Sequence, residues 1–208
     1  MLEIKDKSGL IDEVNSLVRQ QVTLDIGCGS NKKDNTYIGI DKLEVSGVDI
    51  VGDVLSITKK LKNNTVDKIY ASHFLEHIEN LEDYLEEFSR ILKKDGLLEI
   101  IVPHFSNPYF YSDPTHKRFF GLYSMCYFAK SSLFKRTVPV YDHRINFVLL
   151  SVDLNFKSSR PFYIRYLFKK FFGILFGTTN YMKEFWEENL SFIFPCYEIR
   201  YILRKIDQ

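Results

Sequence analysis

The stretch 22–32, VTLDIGCGSNK, holds the residues best suited to ligand chemistry. A β-branched and apolar run reaches Asp25 and then breaks into Gly27 and Gly29, the pattern of a buried parallel strand delivering its backbone to a bound molecule. Glycine permits a sharp turn there and lets a ligand touch peptide groups directly. Two more acids close apolar runs in the same way, Asp41 after YIGI and Asp53 after DIVG. A carboxylate at such an edge can accept hydrogen bonds bidentately from a ligand. One aspartate at a strand end is an ordinary turn former; three in succession point to a site.

Histidines supply the second group. His73-Phe74-Leu75-Glu76-His77 spells H-x-x-E-H, a zinc-binding spacing when it lies inside a helix and a further ligand joins it. Here the segment begins at a strand end, so no resident metal is expected. His104, Asp113, His116 and His143 fall in or beside an aromatic-rich segment. Asp113-Pro114 has the form of a helix cap followed by proline at the first helical position. A helix from there through Phe119 would put Asp113 and His116 on one face, where the carboxylate orients an imidazole able to take a hydroxyl proton. The plain alternatives are capping for Asp113 and hydrogen-bonded packing for the histidine.

These residues need a scaffold, and the hydrophobic pattern supplies one. Apolar residues at helical spacing over 9–20 predict a short amphipathic helix before the first strand. Strands are expected at 37–41, 48–52 and 66–72, with a weak helix at 55–61. About ten residues separate the first two strands, at or below the minimum for a helical crossover, so the first helix is little more than a turn. Leu81, Tyr84, Leu85, Phe88, Ile91 and Leu92 line one face of the clearest helix, with acids at its start, Arg90, Lys93 and Lys94 at its end and Gly96 as its stop. The strand 97–102 follows. Residues 103–144 form a connection too long for an ordinary loop, read as a substrate lid with short helices of its own. A strand returns at 145–156, and Tyr197, Ile199, Tyr201 and Leu203 alternate with polar residues as in an antiparallel strand with one solvated face.

The series LDIGCG, YIGID, VDIVGDV, VDKIYASHFLEH and LKKDGLLEIIVP, in that order across 22–103, resembles the class I S-adenosylmethionine-dependent methyltransferases. The resemblance implies an α/β Rossmann-like three-layer sandwich with a mostly parallel seven-stranded sheet and one antiparallel strand near the C-terminus. It implies S-adenosylmethionine as cofactor and S-adenosylhomocysteine as product. Asp25, Gly27, Cys28 and Gly29 would meet the methionine end, Asp41 with Lys42 beside it the ribose hydroxyls, and Asp53 with Val54 the adenine edge. Ser72 and His73 would border the methyl group, and His116, Asp113 and His73 would serve catalysis. The truncated first helix and Asn31 in place of a third glycine weaken the rival reading of a nicotinamide enzyme, because a pyrophosphate needs that helix terminus. The rival from another class is a non-catalytic module that keeps the fold.

Composition bounds the rest. At 208 residues, one domain over 1–208 is expected, with the lid at 103–144 and a helical insertion at 158–195. Twenty-eight basic and 27 acidic residues nearly balance, so charge gives no case for nucleic acid. Three scattered cysteines fit a reduced, cytoplasmic protein, and residues 1–20 do not read as a signal peptide. The expected acceptor is a small molecule or saccharide, methylated on oxygen. The segment 162–176, FYIRYLFKKFFGILF, is too short and charged to span a bilayer. It is read as a core or homodimer helix whose cations reach outward, with weak membrane-surface contact as the alternative.

Overall fold

A computed structural model describes residues 3–17, 21–139, 144–158 and 161–207. The elements run β1 (Lys5–Asp6), α1 (Leu10–Asn15), β2 (Thr23–Ile26), β3 (Ile38–Asp41), β4 (Ile50–Val51), α2 (Val54–Thr58), β5 (Val66–Ser72), α3 (Leu81–Ile91) and β6 (Leu92–Pro103). They continue through β7 (Phe147–Asn155), α4 (Tyr163–Gly177), α5 (Asn180–Asn189) and β8 (Glu198–Lys205). All strands join one sheet in the order β1-β4-β3-β2-β5-β6-β8-β7. β4, β3, β2, β5 and β6 are parallel, and β8 runs antiparallel between β6 and β7. This is the expected Rossmann-like sheet, with one addition: the two residues of β1 pair antiparallel with β4 at the edge. β2 and β3 are buried along their whole length, as strands covered on both faces must be. α3 lays Leu81, Leu85, Phe88 and Ile91 onto the core.

Strand order reverses between β2 and β5, so the crevice for a ligand opens at the carboxyl ends of those two strands. Between β2 and β3 there is no α-helix, only turns, which goes further than the single turn the spacing predicts. α3 ends at Ile91 rather than at Lys94, and Gly96 does not stop it. Leu92 is already extended and paired with Val66, while Lys93 reaches the Asp67 carboxylate at 2.8 Å, so sheet pairing overrides the helical pattern.

The connection after β6 also departs from expectation. No helix starts at Asp113-Pro114. Asp113 Oδ1 instead accepts from the Thr115 amide at 2.8 Å and from its hydroxyl, and the Lys117 amide donates to the Glu76 carbonyl at 2.7 Å. The first is the bond a capping aspartate makes; the second takes the amide that a helix would direct back to the Asp113 carbonyl and ties the connection to the turn after β5. The cap-then-proline signal belongs to Asn107-Pro108, where Asn107 accepts from the Tyr109 amide and opens a 3₁₀ turn over Pro108–Ser112. A second such turn spans Ser124–Tyr127. His143 lies outside the described residues.

α4 and α5 lie within 158–195. Phe156, Phe176, Trp186 and Cys196 form a small separate core beneath them. The reading of α4 as a core helix is not met within this chain: of its side chains only Phe176 is buried.

Candidate active site

β2 carries the chain into the turn the sequence singled out. Gly27 and Gly29 both take left-handed backbone, φ 67° and 52°, and the Gly27 amide donates to the Ile40 carbonyl at 2.8 Å. A Cβ on Gly27 would stand 2.7 Å from the Phe74 ring, so size and backbone both demand glycine there. A Cβ on Gly29 would meet nothing within 4 Å, which leaves its backbone facing open space.

Two of the three acids brace this turn, and the third caps the helix beside it. Asp25 is buried, and its Oδ2 accepts from the Lys33 amide at 2.7 Å; burial pushes its carboxyl up despite that bond and the nearby lysines. Asp41 accepts from the Gly29 amide through Oδ2 and from the Leu43 amide through Oδ1, both at 2.9 Å. A carboxylate has about four lone-pair positions, so two remain for a ligand diol. Asp53 caps α2 through Oδ1, at 2.8 Å from the Ser56 amide, with Val54 buried behind it. Lys42 is exposed. The Cys28 thiol is half-buried; burial first, then Asp25, Asp41 and Asp49, push it up to about 12. Sequence reasoning missed Asp49, which accepts from Lys32 Nζ and the Gly39 amide at 2.7 Å each and closes the far side of the turn. Its place inside an apolar strand pattern concealed it.

Across the crevice, Ser72 ends β5 and His73 turns the chain at φ 54°. The imidazole sits between two carboxylates, Nδ1 3.2 Å from Glu76 Oε1 and Nε2 3.4 Å from Glu198 Oε2. Glu198 and Glu76 raise its pKa to about 9 against the opposing effect of burial, so it is an imidazolium at neutral pH. Burial alone would raise Glu198, but His73 and Lys157 outweigh it and hold the carboxyl below its usual range. His73 and Glu198 face a cleft of about 1480 Å³ that also takes in Tyr109, Leu154, Lys157 and Phe168. Neither glutamate was singled out as its partner in the sequence. Glu76 lay within H-x-x-E-H, whereas the role of Glu198 depends on β8 being antiparallel.

His116 and Asp113 are near one another, Nε2 to Oδ2 3.7 Å, without a helix to align them. His116 Nδ1 donates to the Phe110 carbonyl at 2.9 Å and its ring packs on Phe110 and His77; it is not among the residues facing the cleft. His77 Nδ1 lies 2.9 Å from the Thr115 hydroxyl. His104 is fully buried between Ser106 and Glu187, a packing residue.

Residues 6–135 match a family model described as a methyltransferase domain. The chain belongs to that family. It carries a methyltransferase domain, and solved S-adenosylmethionine-dependent methyltransferases share its fold. A methyltransferase of that dependence from Archaeoglobus fulgidus aligns at TM-score 0.56 and 17% identity, covering 95% of this chain and 92% of the other. A Bacillus halodurans C-125 protein described as a putative methyltransferase aligns at 0.55 and 14%, covering 98% and 100%. A Haemonchus contortus phosphoethanolamine N-methyltransferase, solved with phosphomonomethylethanolamine and S-adenosylhomocysteine, aligns at 0.50 and 14% over 94% of this chain; this methyltransferase spans 51% of that chain. No curated protein matches.

Proposed function

We propose that the crevice between β2 and β5 seats S-adenosylmethionine and that the cleft beside His73 receives a small-molecule or saccharide-type acceptor, methylated on oxygen. The observation that carries this is the set of strand-end acids around an open glycine turn: Asp25, Gly27, Cys28 and Gly29 for the methionine end, Asp41 for the ribose, Asp53 and Val54 for the adenine. The fit is good, because Gly29 leaves space, and Asp41 and Asp53 keep acceptor capacity after their backbone bonds. When bound, the cofactor supplies a methyl group made electrophilic by its sulfonium. The protein's part is to hold the acceptor oxygen in line, so that an O–C bond forms as the S–C bond breaks. His73 borders that line. As an imidazolium with both N–H groups committed to Glu76 and Glu198 it acts as a fixed wall rather than a base, and the hydroxyl proton leaves to water in the cleft. Calorimetry tests the seat: one S-adenosylhomocysteine per chain and no response to NAD are expected, and NAD binding would overturn it.

A specific observation favours a lipid surface as the place where the acceptor is met. Ile164, Leu167, Phe168, Phe171, Ile174 and Leu175 recur at i, i+3, i+4, i+7, i+10 and i+11 along α4, and all are exposed, Ile164 by 74%. Phe192 is exposed by 76%. Large exposed apolar patches mark interaction sites. From 154 to 182 the sequence has no acid and five basic residues, the complement of an anionic bilayer. Phe168 and Ile174 also border the cleft that reaches His73. No described helix is long and apolar enough to cross a membrane; α4 would lie in the interface. Co-sedimentation with phosphatidylglycerol-containing vesicles, lost on Leu167→Glu plus Phe171→Glu and weakened roughly fivefold by Lys170→Ala, is the expected result. A dimer abolished by the same pair, with no vesicle binding, would overturn it in favour of a second copy.

A further inference from the structure

The geometry points to a divalent metal site formed by Glu76, His77 and His116, behind the cleft wall and separate from the cofactor seat. One carboxylate oxygen and one ring nitrogen from each histidine lie within 4.8 Å of one another. The hydrogen bonds decide what those atoms are. His116 Nδ1 faces the Phe110 carbonyl, which only accepts, so Nδ1 carries the proton and Nε2 a lone pair. Thr115 Oγ1 donates to Asp113 Oδ1, so toward His77 Nδ1 it accepts, and His77 likewise keeps its lone pair on Nε2, which stands 4.0 Å from Glu76 Oε1. Imidazoles whose second nitrogen donates to a carbonyl or hydroxyl are arranged as metal ligands usually are.

The second observation is Glu76 itself. The residue is fully buried, and its Oε2 has no hydrogen-bond partner among the described residues. An unpartnered carboxylate oxygen away from water is costly: His73 Nδ1 serves Oε1 at 3.2 Å, and His77 and His116 bring lone pairs rather than donors. A cation satisfies all three groups together. If the separations were all 4.8 Å, each donor would sit about 2.8 Å from the centre. Bonds of about 2.1 Å are then reached by shifts of about 0.7 Å. Two histidines and one glutamate form a zinc-type set that leaves a position for water. The expectation of no metal rested on the motif starting at a strand end and lacking a further ligand. In the fold, Leu75–His77 forms a 3₁₀ turn, and the Lys117 and Arg118 amides, both donating to the Glu76 carbonyl, bring His116 in as that ligand. The ion would clamp the long connection onto the end of β5.

The test uses the full chain without a histidine tag, stripped with chelator and titrated with Zn²⁺, then with Co²⁺ as a spectroscopic probe. One Zn²⁺ per chain after desalting, a raised Tm and a tetrahedral Co²⁺ absorption band are expected. His77→Ala and His116→Ala should each abolish all three. Thr115→Val changes no ligand, removes the acceptor for His77 Nδ1 together with a donor to Asp113 Oδ1, and should weaken Zn²⁺ binding roughly 10- to 100-fold. S-adenosylhomocysteine affinity should be retained in every variant, which reports that the fold is intact. No stoichiometric Zn²⁺ in the wild-type chain, or binding that survives His77→Ala and Thr115→Val alike, would overturn the site.

Discussion

Replacing Asp41 by alanine probes the cofactor seat most directly, because this carboxylate does two jobs that separate in measurement. It accepts from the Gly29 and Leu43 amides at 2.9 Å each and is almost fully buried. Hydrogen bonds to charged groups contribute about 1.5–3 kcal/mol each, and orphaned buried donors cost about 1–3 kcal/mol. Both amides sit in a turn that can relax toward water, so the expected loss of folding stability is about 2 kcal/mol rather than the sum. On top of that, the two lone-pair positions proposed for the ribose diol disappear, weakening S-adenosylhomocysteine by about 1–3 kcal/mol, or roughly 5- to 150-fold. Urea melts report the first effect and calorimetry the second. Asp41→Asn keeps one acceptor and turns an amide NH₂ toward a backbone donor, so it should fall between wild type and alanine in both assays. A folded Asp41→Ala protein that binds S-adenosylhomocysteine with unchanged affinity would remove this residue from the site.

Gly27→Ala should destabilise the chain by about 1–3 kcal/mol, because the new methyl meets the Phe74 ring at 2.7 Å and the backbone sits at φ 67°. Adding Phe74→Leu should recover the steric part only; an unperturbed melting curve for the single variant would refute the account. The Cys28 thiol, raised to about 12, has roughly one part in ten thousand as thiolate at pH 8, so iodoacetamide should label it far more slowly than a free cysteine and about tenfold faster per pH unit up to pH 11. Rapid labelling at pH 8, read by peptide mass spectrometry, would contradict the burial and the three neighbouring carboxylates. Glu187→Ala strips His104 Nε2 and the Leu122 amide of their acceptor in one step and should cost about 2–4 kcal/mol of stability, with S-adenosylhomocysteine affinity preserved. Lost cofactor affinity in a folded Glu187→Ala chain would move His104 from packing into the site.

The parts legible in the sequence were those written in local periodicity. β5 at Val66–Ser72 coincides with its expected bounds, and β2, β3 and the start of α3 fall within a residue or two of theirs. The strand-end acids were legible because each follows an apolar run and precedes a break. What escaped was decided by partners far along the chain. Lys93 and Lys94 read as a helix end but are drawn into β6, whose first residue pairs with Val66. Asp113-Pro114 carries a good local cap signal, yet the Glu76 carbonyl takes the Lys117 amide that a helix there would have used. His116 looked like a base held by Asp113, and its tautomer is set instead by the Phe110 carbonyl. The exposure of α4 could not be read from its composition, since the same aromatic and cationic residues suit a buried helix as well as an interfacial one.

The antiparallel β8 is what brings the C-terminal part of the chain into the site. In a sheet whose other long strands all point one way, a ligand edge is built from their carboxyl ends, and a reversed strand presents its first residue there instead. β8 begins at Glu198, paired with Pro103 at the end of β6 and with Asn155 at the end of β7. Its carboxylate therefore lands beside His73 at the end of β5, where Asn155 and Lys157 hold it in place. His73 links the two halves of that edge, with Glu198 on the cleft side and Glu76 on the side of His77 and His116. A change at either glutamate is therefore felt at the same imidazole, which ties the cleft to the three-residue cluster without a shared ligand. The positive φ of His73 is the backbone consequence, because the chain must turn within one residue to aim its ring back between the two carboxylates.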